Sequence, residues 1–223
     1  MGIWFPVLTN PSIYKSPISV GLFILGYVML NYFIIYKPYL TLSQFSKEGD
    51  KQTLAHFFDV PKDVYPVGRL DYDSEGLLIL TNDKQLNHRL LNPQFEHERE
   101  YYVQVDGNIT TDALNELSNG VVLNVDGKNH QTKKCKARLF DAEPIVPVRN
   151  PPIRFRKEIP APWISLTLTE GKNRQVRKMT AKVGFPTLRL IRYRIEAIKI
   201  DGLQPGEMQE LSKKDIYKML FNE

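Results

Sequence analysis

The sequence predicts an α+β fold with a mainly antiparallel sheet, and three observations carry that reading. Segments of strand-like alternation and segments of helical periodicity follow one another along the chain. Several end in recognisable caps or breakers: Asn82-Asp83 before one helix, Gly120 after another, Gly184-Phe185-Pro186 after a third. At 223 residues and 42% hydrophobic content, the chain is long enough to bury a core.

In chain order, residues 31–36 read as a short strand ending at the Lys37-Pro38 turn, and 53–58 as a brief helix stopped by Pro61. A polar loop bracketed by Gly68 and Gly76 runs straight into an apolar strand at 77–80. Asn82-Asp83 can cap a helix reaching Leu91, where Asn92-Pro93 ends it. A strand at 101–105, a helix at 111–119 and a strand at 135–140 follow. Residues 143–162 contain six prolines and form a long loop. Beyond it come a strand at 163–169 and a helix at 173–183. On that helix Val176, Met179 and Val183 share one face, Arg174, Lys178 and Lys182 the other, with Arg177 at the boundary.

Charge is distributed unevenly. Residues 1–90 carry 8 Lys and Arg against 8 Asp and Glu, so the net +5 belongs to the remainder. Between Arg149 and Lys199 there are 13 basic residues and three acidic ones, a region suited to a polyanion. The lone Cys135 excludes an internal disulfide and fits a reducing, cytoplasmic compartment. His56, His88, His97 and His130 show no metal-ligand spacing, so neither metal nor cofactor is expected.

Residues 16–36 are 21 positions without a charge, long enough by count to span a membrane. Glycines, an asparagine and aromatics dilute the run, and its second half is claimed by the strand at 31–36. About thirteen apolar residues then remain, too few for a hydrocarbon core of about 30 Å. Residues 1–30 are therefore expected to be an apolar extension, with Met29 as a natural start, and no stable membrane association is expected. A membrane-attached protein is the reading this sets aside.

The loop Asp71, Asp73, Glu75, Gly76 superficially follows a calcium-binding loop, but Asn82 stands where the bidentate acid should be. A pair of glycosidase carboxylates stays open on sequence alone, as does a simple acidic turn before a strand. The whole string Gly68-Arg69-Leu70-Asp71 through Glu75-Gly76-Leu77-Leu78-Ile79-Leu80-Thr81-Asn82-Asp83 resembles the catalytic motif of the RsuA-like branch of ribosomal RNA pseudouridine synthases. Arg99-Glu100-Tyr101-Tyr102-Val103 and the block from Glu170 to Met179 resemble that family's second and third motifs, in the expected order. Ile35-Tyr36-Lys37-Pro38 resembles its short Lys-Pro strand end. Arg194-Ile195-Glu196, where the branch usually has a glycine, and Tyr36, for a common asparagine, depart from the pattern. The Arg149 to Arg154 loop and the run from Phe185 to Tyr193 look most like the branch members that act on the large subunit.

The resemblance implies one catalytic domain over 31–220, two lobes flanking a cleft, and no S4-type RNA-binding domain. It implies that Asp71 is the catalytic carboxylate, Arg177 its ion-pair partner, Tyr101 the ring that stacks on the flipped uracil, and Arg69 a neighbouring support. No cofactor and no metal is implied. The expected partner is 23S ribosomal RNA or a large-subunit assembly intermediate, met by a monomer in the cytoplasm. Arg149, Arg154, Arg156, Arg174, Lys178, Arg189 and Arg192 are the expected contacts to RNA phosphates. A non-catalytic RNA-binding assembly factor is the alternative, weakened by the presence of Asp71. Deleting residues 1–28 is expected to leave a protein that elutes as a soluble species in size-exclusion chromatography with an unchanged circular dichroism spectrum; an insoluble product would show that the extension packs on the domain.

Overall fold

The computed structural model describes residues 29–153 and 158–223. Expectations for residues 1–28, and for Arg154 and Arg156, lie outside the described residues. Among those described, nine strands form one sheet. Its path runs through β1 (Tyr32–Lys37), β2 (Glu75–Thr81), β3 (Arg99–Val105), β6 (Lys136–Leu139), β7 (Trp163–Leu168), β8 (Thr187–Ile195) and β9 (Met208–Glu210). The spatial order is β9-β1-β2-β8-β3-β7-β6. A separate hairpin pairs β4 (Val122–Val125) with β5 (Lys128–Gln131).

Every listed neighbour on this path is antiparallel except β2 and β8, which meet in parallel with Ile191 opposite Glu75 and Arg192 opposite Gly76. That short junction joins the two halves of the sheet. Gly76 makes it possible: its φ is +107°, and a Cβ there would collide with the backbone of Arg192.

Alternation along the strands builds two lobes from this one sheet. Leu77, Ile79 and Ile191 point to one face and join Tyr32, Ile34 and Tyr36 in a single large cluster. That face is covered by α1 (Lys84–Leu91) and α4 (Lys213–Phe221), whose Leu86, Leu90, Ile216 and Leu220 belong to the cluster. On the other face the core divides. Tyr101, Val103, Leu166 and Leu190 pack with α2 (Thr111–Asn119) and α3 (Gln175–Lys182). Phe33, Ile35, Leu78 and Leu80 pack separately, under Leu54, Phe58 and Val64.

The helix ends follow from sequence. Asp83 caps α1 by accepting from the backbone N–H groups of Gln85 and Leu86 at 2.9 and 3.2 Å. Its other oxygen accepts from the hydroxyls of Tyr32 and Tyr217, both at 2.8 Å, which pins α1 to the sheet and to α4. Thr110 caps α2, and Gly120 ends it at φ +89°. Helix α3 is shorter than the 173–183 expected from periodicity, because Arg174 adopts a left-handed φ of +53° at its N-cap. The Pro-rich stretch contains no strand or helix among its described residues.

Gly76→Ala is expected to cost more than about 2 kcal/mol, since the substituted residue would be strained in φ and its methyl would part β2 from β8. Urea titration followed by circular dichroism checks this; a midpoint within error of wild type would show that the junction yields easily.

Candidate active site

Asp71 sits in the turn before β2, where the Ser74 N–H donates to its backbone carbonyl at 3.1 Å. Three tethers hold this turn. Before it, Ser43 Oγ donates to the Leu70 carbonyl at 2.8 Å and lies 3.0 Å from the Leu70 N–H. At its tip, the Arg174 guanidinium donates to both oxygens of Asp73 at 2.8 and 2.9 Å, while Arg177 Nη2 donates to the Asp73 carbonyl at 2.6 Å. After it, Glu75 is buried in a two-pronged pair with Arg189 at 2.7 and 3.0 Å.

Asp71 itself is left partly open. Its side chain is 30% exposed, and Arg174 Nη1 stands 3.7 Å from its carboxylate. Around it lies a cleft of about 730 Å³ lined by Arg69, Tyr101, His130, Lys172 and Arg192 among others. Tyr101 is 9% exposed and stands directly across the strand pair from Arg192. Arg192 is fully enclosed: its Nε donates to the Leu77 carbonyl at 2.8 Å, and burial pulls its guanidinium below its ordinary range. One of its terminal nitrogens, Nη2, has no hydrogen-bond partner.

Two further groups shape the field. Lys37, at the end of β1, is wholly buried and donates to the carbonyls of Pro38 and Thr41 at 2.9 and 2.6 Å. Burial lowers its pKa to about 7, against the attraction of Glu75, Asp73 and Asp71. Glu170, at the start of the third motif, is 8% exposed. Burial would raise it, but hydrogen bonds from the Lys133 N–H, Gln175 and His130 outweigh that and hold it below the usual carboxylate range. It thereby ties the β4–β5 hairpin to the first turn of α3, the helix that grips Asp73. No group of acidic, histidine or cysteine side chains among the described residues could hold a metal ion.

The sequence profile of the RNA pseudouridylate synthase family matches residues 31–182. The chain belongs to this family. Its similarity extends to a ribosomal large subunit pseudouridine synthase E from Vibrio parahaemolyticus, 48% identical over 178 residues, covering 80% of this chain and 72% of that one. The enzyme of the same name from Xanthomonas campestris is 48% identical over 182 residues, covering 81% and 92%. A ribosomal large subunit pseudouridine synthase B from Bacillus subtilis is 32% identical, over 84% of this chain and 70% of that one. A crystal structure of a pseudouridylate synthase superposes with a TM-score of 0.70 at 27% identity, covering 86% and 74%.

Within this pseudouridylate synthase several sequence expectations need correction. Arg189 and Arg192 are not surface contacts for phosphate, being 6% and 5% exposed. Arg189 is spent on Glu75 and the Pro147 carbonyl, and Arg192 on the Leu77 carbonyl. Arg177 is not paired to Asp71; its hydrogen bonds go to the Asp73 carbonyl and, at 3.4 Å, to Ser74 Oγ. Its Nε is 3.4 Å from the Asp73 carboxylate, so Arg177 acts on Asp71 at one remove. Arg174 is held by Asp73, and Arg149 donates to the Pro151 carbonyl with its guanidinium 4.2 Å from the Tyr39 ring centroid. Lys178 reaches the Asn124 carbonyl at 3.1 Å. Arg69 is exposed at the cleft, as is Lys172. Ser43, Lys37, Glu170 and His130 were missed. Only Lys37 and Glu170 carried a signal, through their positions in the motifs.

The buried Lys37 gives a pH dependence. Its pKa falls from the ordinary lysine value to about 7 on folding, so the cost of burying the charge is present in full below pH 7. That cost is relieved as pH rises towards the unfolded value of about 10.4, and stability climbs across this interval. Denaturation midpoints for wild type are expected to rise relative to Lys37→Met between pH 7 and 9.5. Parallel curves for the two proteins would show that the amine stays charged.

Proposed function

We propose that the chain isomerises one uridine of large-subunit ribosomal RNA to pseudouridine, with Asp71 as the catalytic carboxylate. The observation that carries this reading is a loop tethered from three sides whose Asp71, alone among its three carboxylates, lines the cleft with Tyr101 and Arg192, while Asp73 and Glu75 are hydrogen-bonded to arginines. The reaction breaks the N1–C1′ bond, turns the uracil and joins C5 to C1′, with the C5 proton lost and one gained at N1. It is redox-neutral and needs no co-reactant. A carboxylate fixed beside C1′ or the uracil ring supplies the nucleophile or the countercharge for that step. The names of the relatives support the large subunit as the source of the RNA, and the lone Cys135 fits a reducing compartment such as the cytoplasm.

The target base must leave its stack to enter the cleft, at a cost of a few kcal/mol that contacts to the backbone offset. Tyr101 offers the extruded uracil a ring to lie against. Arg69 and Lys172 at the cleft, Lys178 beside it, and Arg149, Arg154 and Arg156 of the Pro-rich loop are proposed to meet phosphates. RNA binding should then weaken steeply with salt.

Asp71→Asn is expected to lower single-turnover conversion by about 10³-fold or more while RNA affinity changes less than about threefold. Pseudouridine mapping of ribosomal RNA from a strain carrying only this variant should show one site lost in the large subunit. An active Asp71→Asn protein, or a complete large-subunit pattern in that strain, would overturn the assignment.

A further inference from the structure

A second, larger recess opens beside the catalytic cleft. It has a volume of about 960 Å³ and is formed by the segment that covers one face of β1 and β2. Its lining includes Phe45, Phe57, Phe58, Val60, Val64 and Tyr65. Phe58 and Val64 form the floor, at 5% and 2% exposure, through the cluster with Leu54 and Leu80. Phe57 and Tyr65 are left open at 36% and 63%. Tyr65 opens a two-residue strand, Tyr65–Pro66, at the edge of the sheet, and its ring lines the groove. Its backbone already pairs with Thr81.

Two observations decide what the recess takes. Arg69 lines both this groove and the catalytic cleft, so the two are one continuous surface. Tyr65 pairs with Thr81, at the end of β2 away from Glu75 and the Asp71 turn, so about 20 Å of strand separates the two, a span of about six stacked nucleotides. The charged groups of the lining are Lys62, Arg69 and Asp59, with His56 beside them, and Arg69 is shared with the cleft. Aromatic faces flanked by cations are the arrangement that holds single-stranded nucleic acid, rings taking bases and cations taking phosphates.

We propose that this groove is a second nucleobase subsite, which stacks an unpaired base of the strand that carries the target uridine against Tyr65 and Phe57. The proposal rests on the reading of the cleft as an RNA site. It adds a specificity element: a base about six nucleotides from the target is read by shape and stacking, and must itself be free of a partner.

Tyr65 is the residue to vary, since its ring is exposed and replacing it spares the core, whereas Phe57 also packs against Gly206. The probes are a fluorescein-labelled oligouridylate of eight nucleotides and its abasic ribose-phosphate counterpart, titrated against the full chain carrying Asp71→Asn. The background protein should prefer the base-bearing strand, and Tyr65→Ala should shrink that preference about tenfold, with Tyr65→Phe restoring it. An equal preference in Tyr65→Ala and the background would overturn the subsite. So would loss of a concentration-dependent self-association in Tyr65→Ala, which would assign the groove to a second copy of the chain. Because the readout is binding alone, absence of uridine isomerisation in wild type would count against the proposed activity and leave this comparison standing.

Discussion

Two strands approach at Gly76 and Arg192 more closely than any side chain would permit, and the remainder of the site is arranged around that contact. It is the parallel pairing that joins the two halves of the sheet. It places Arg192 between Gly76 on one side and Tyr101 on the other. It also fixes where β2 begins, and therefore where the preceding turn must present Asp71. The turn presents Asp71 at the cleft, 30% exposed.

The electrostatics then divide labour between carboxylates that look equivalent. Glu75 is buried against Arg189 on the face of the sheet away from the cleft, and Asp73 is engaged by Arg174 and Arg177. Arg174 hydrogen bonds hold Asp73 below the usual carboxylate range despite its partial burial. Asp71 alone keeps its oxygens free of a close hydrogen bond to the arginines. Two of the acids bind the protein to itself, and the third is the one that lines the cleft. Glu170 extends the same scaffold to the β4–β5 hairpin through His130 and the Lys133 N–H.

Much of this was legible in the sequence because helix ends and turns are local chemistry. Asp83 and Gly120 act at the positions where a cap or a stop was readable, and α2 has the bounds that its periodicity gave. The motif loop identified Asp71. What could not be read was the direction of an arginine in a strand. In β8, Arg189 and Arg192 look like a basic surface, yet one lies on the α1 and α4 face and the other opposite, each enclosed by partners more than 110 residues away in sequence. The same charges disguised β8 itself, which reads as neither apolar nor alternating. The β4–β5 hairpin was obscured by its polar composition, and α3 was overrun at its start because a left-handed residue leaves no periodic trace.

The tethering of the turn that carries Asp71 also bears on how such a protein can diversify. Leu70 is fastened to Ser43, Asp73 to α3 and Gly76 to β8, so the turn from 70 to 76 spans three fixed points with no slack between them. A residue inserted or removed there would have to be absorbed by breaking one of the three attachments. The tip is less restricted, as Tyr72 remains partly exposed. Substitution can therefore retune this turn's chemistry, but change in length must fall elsewhere, in connections such as the Pro-rich stretch that carry no sheet register. A change of length between Asp71 and Gly76 is accordingly expected to be tolerated less than one in the Pro-rich stretch.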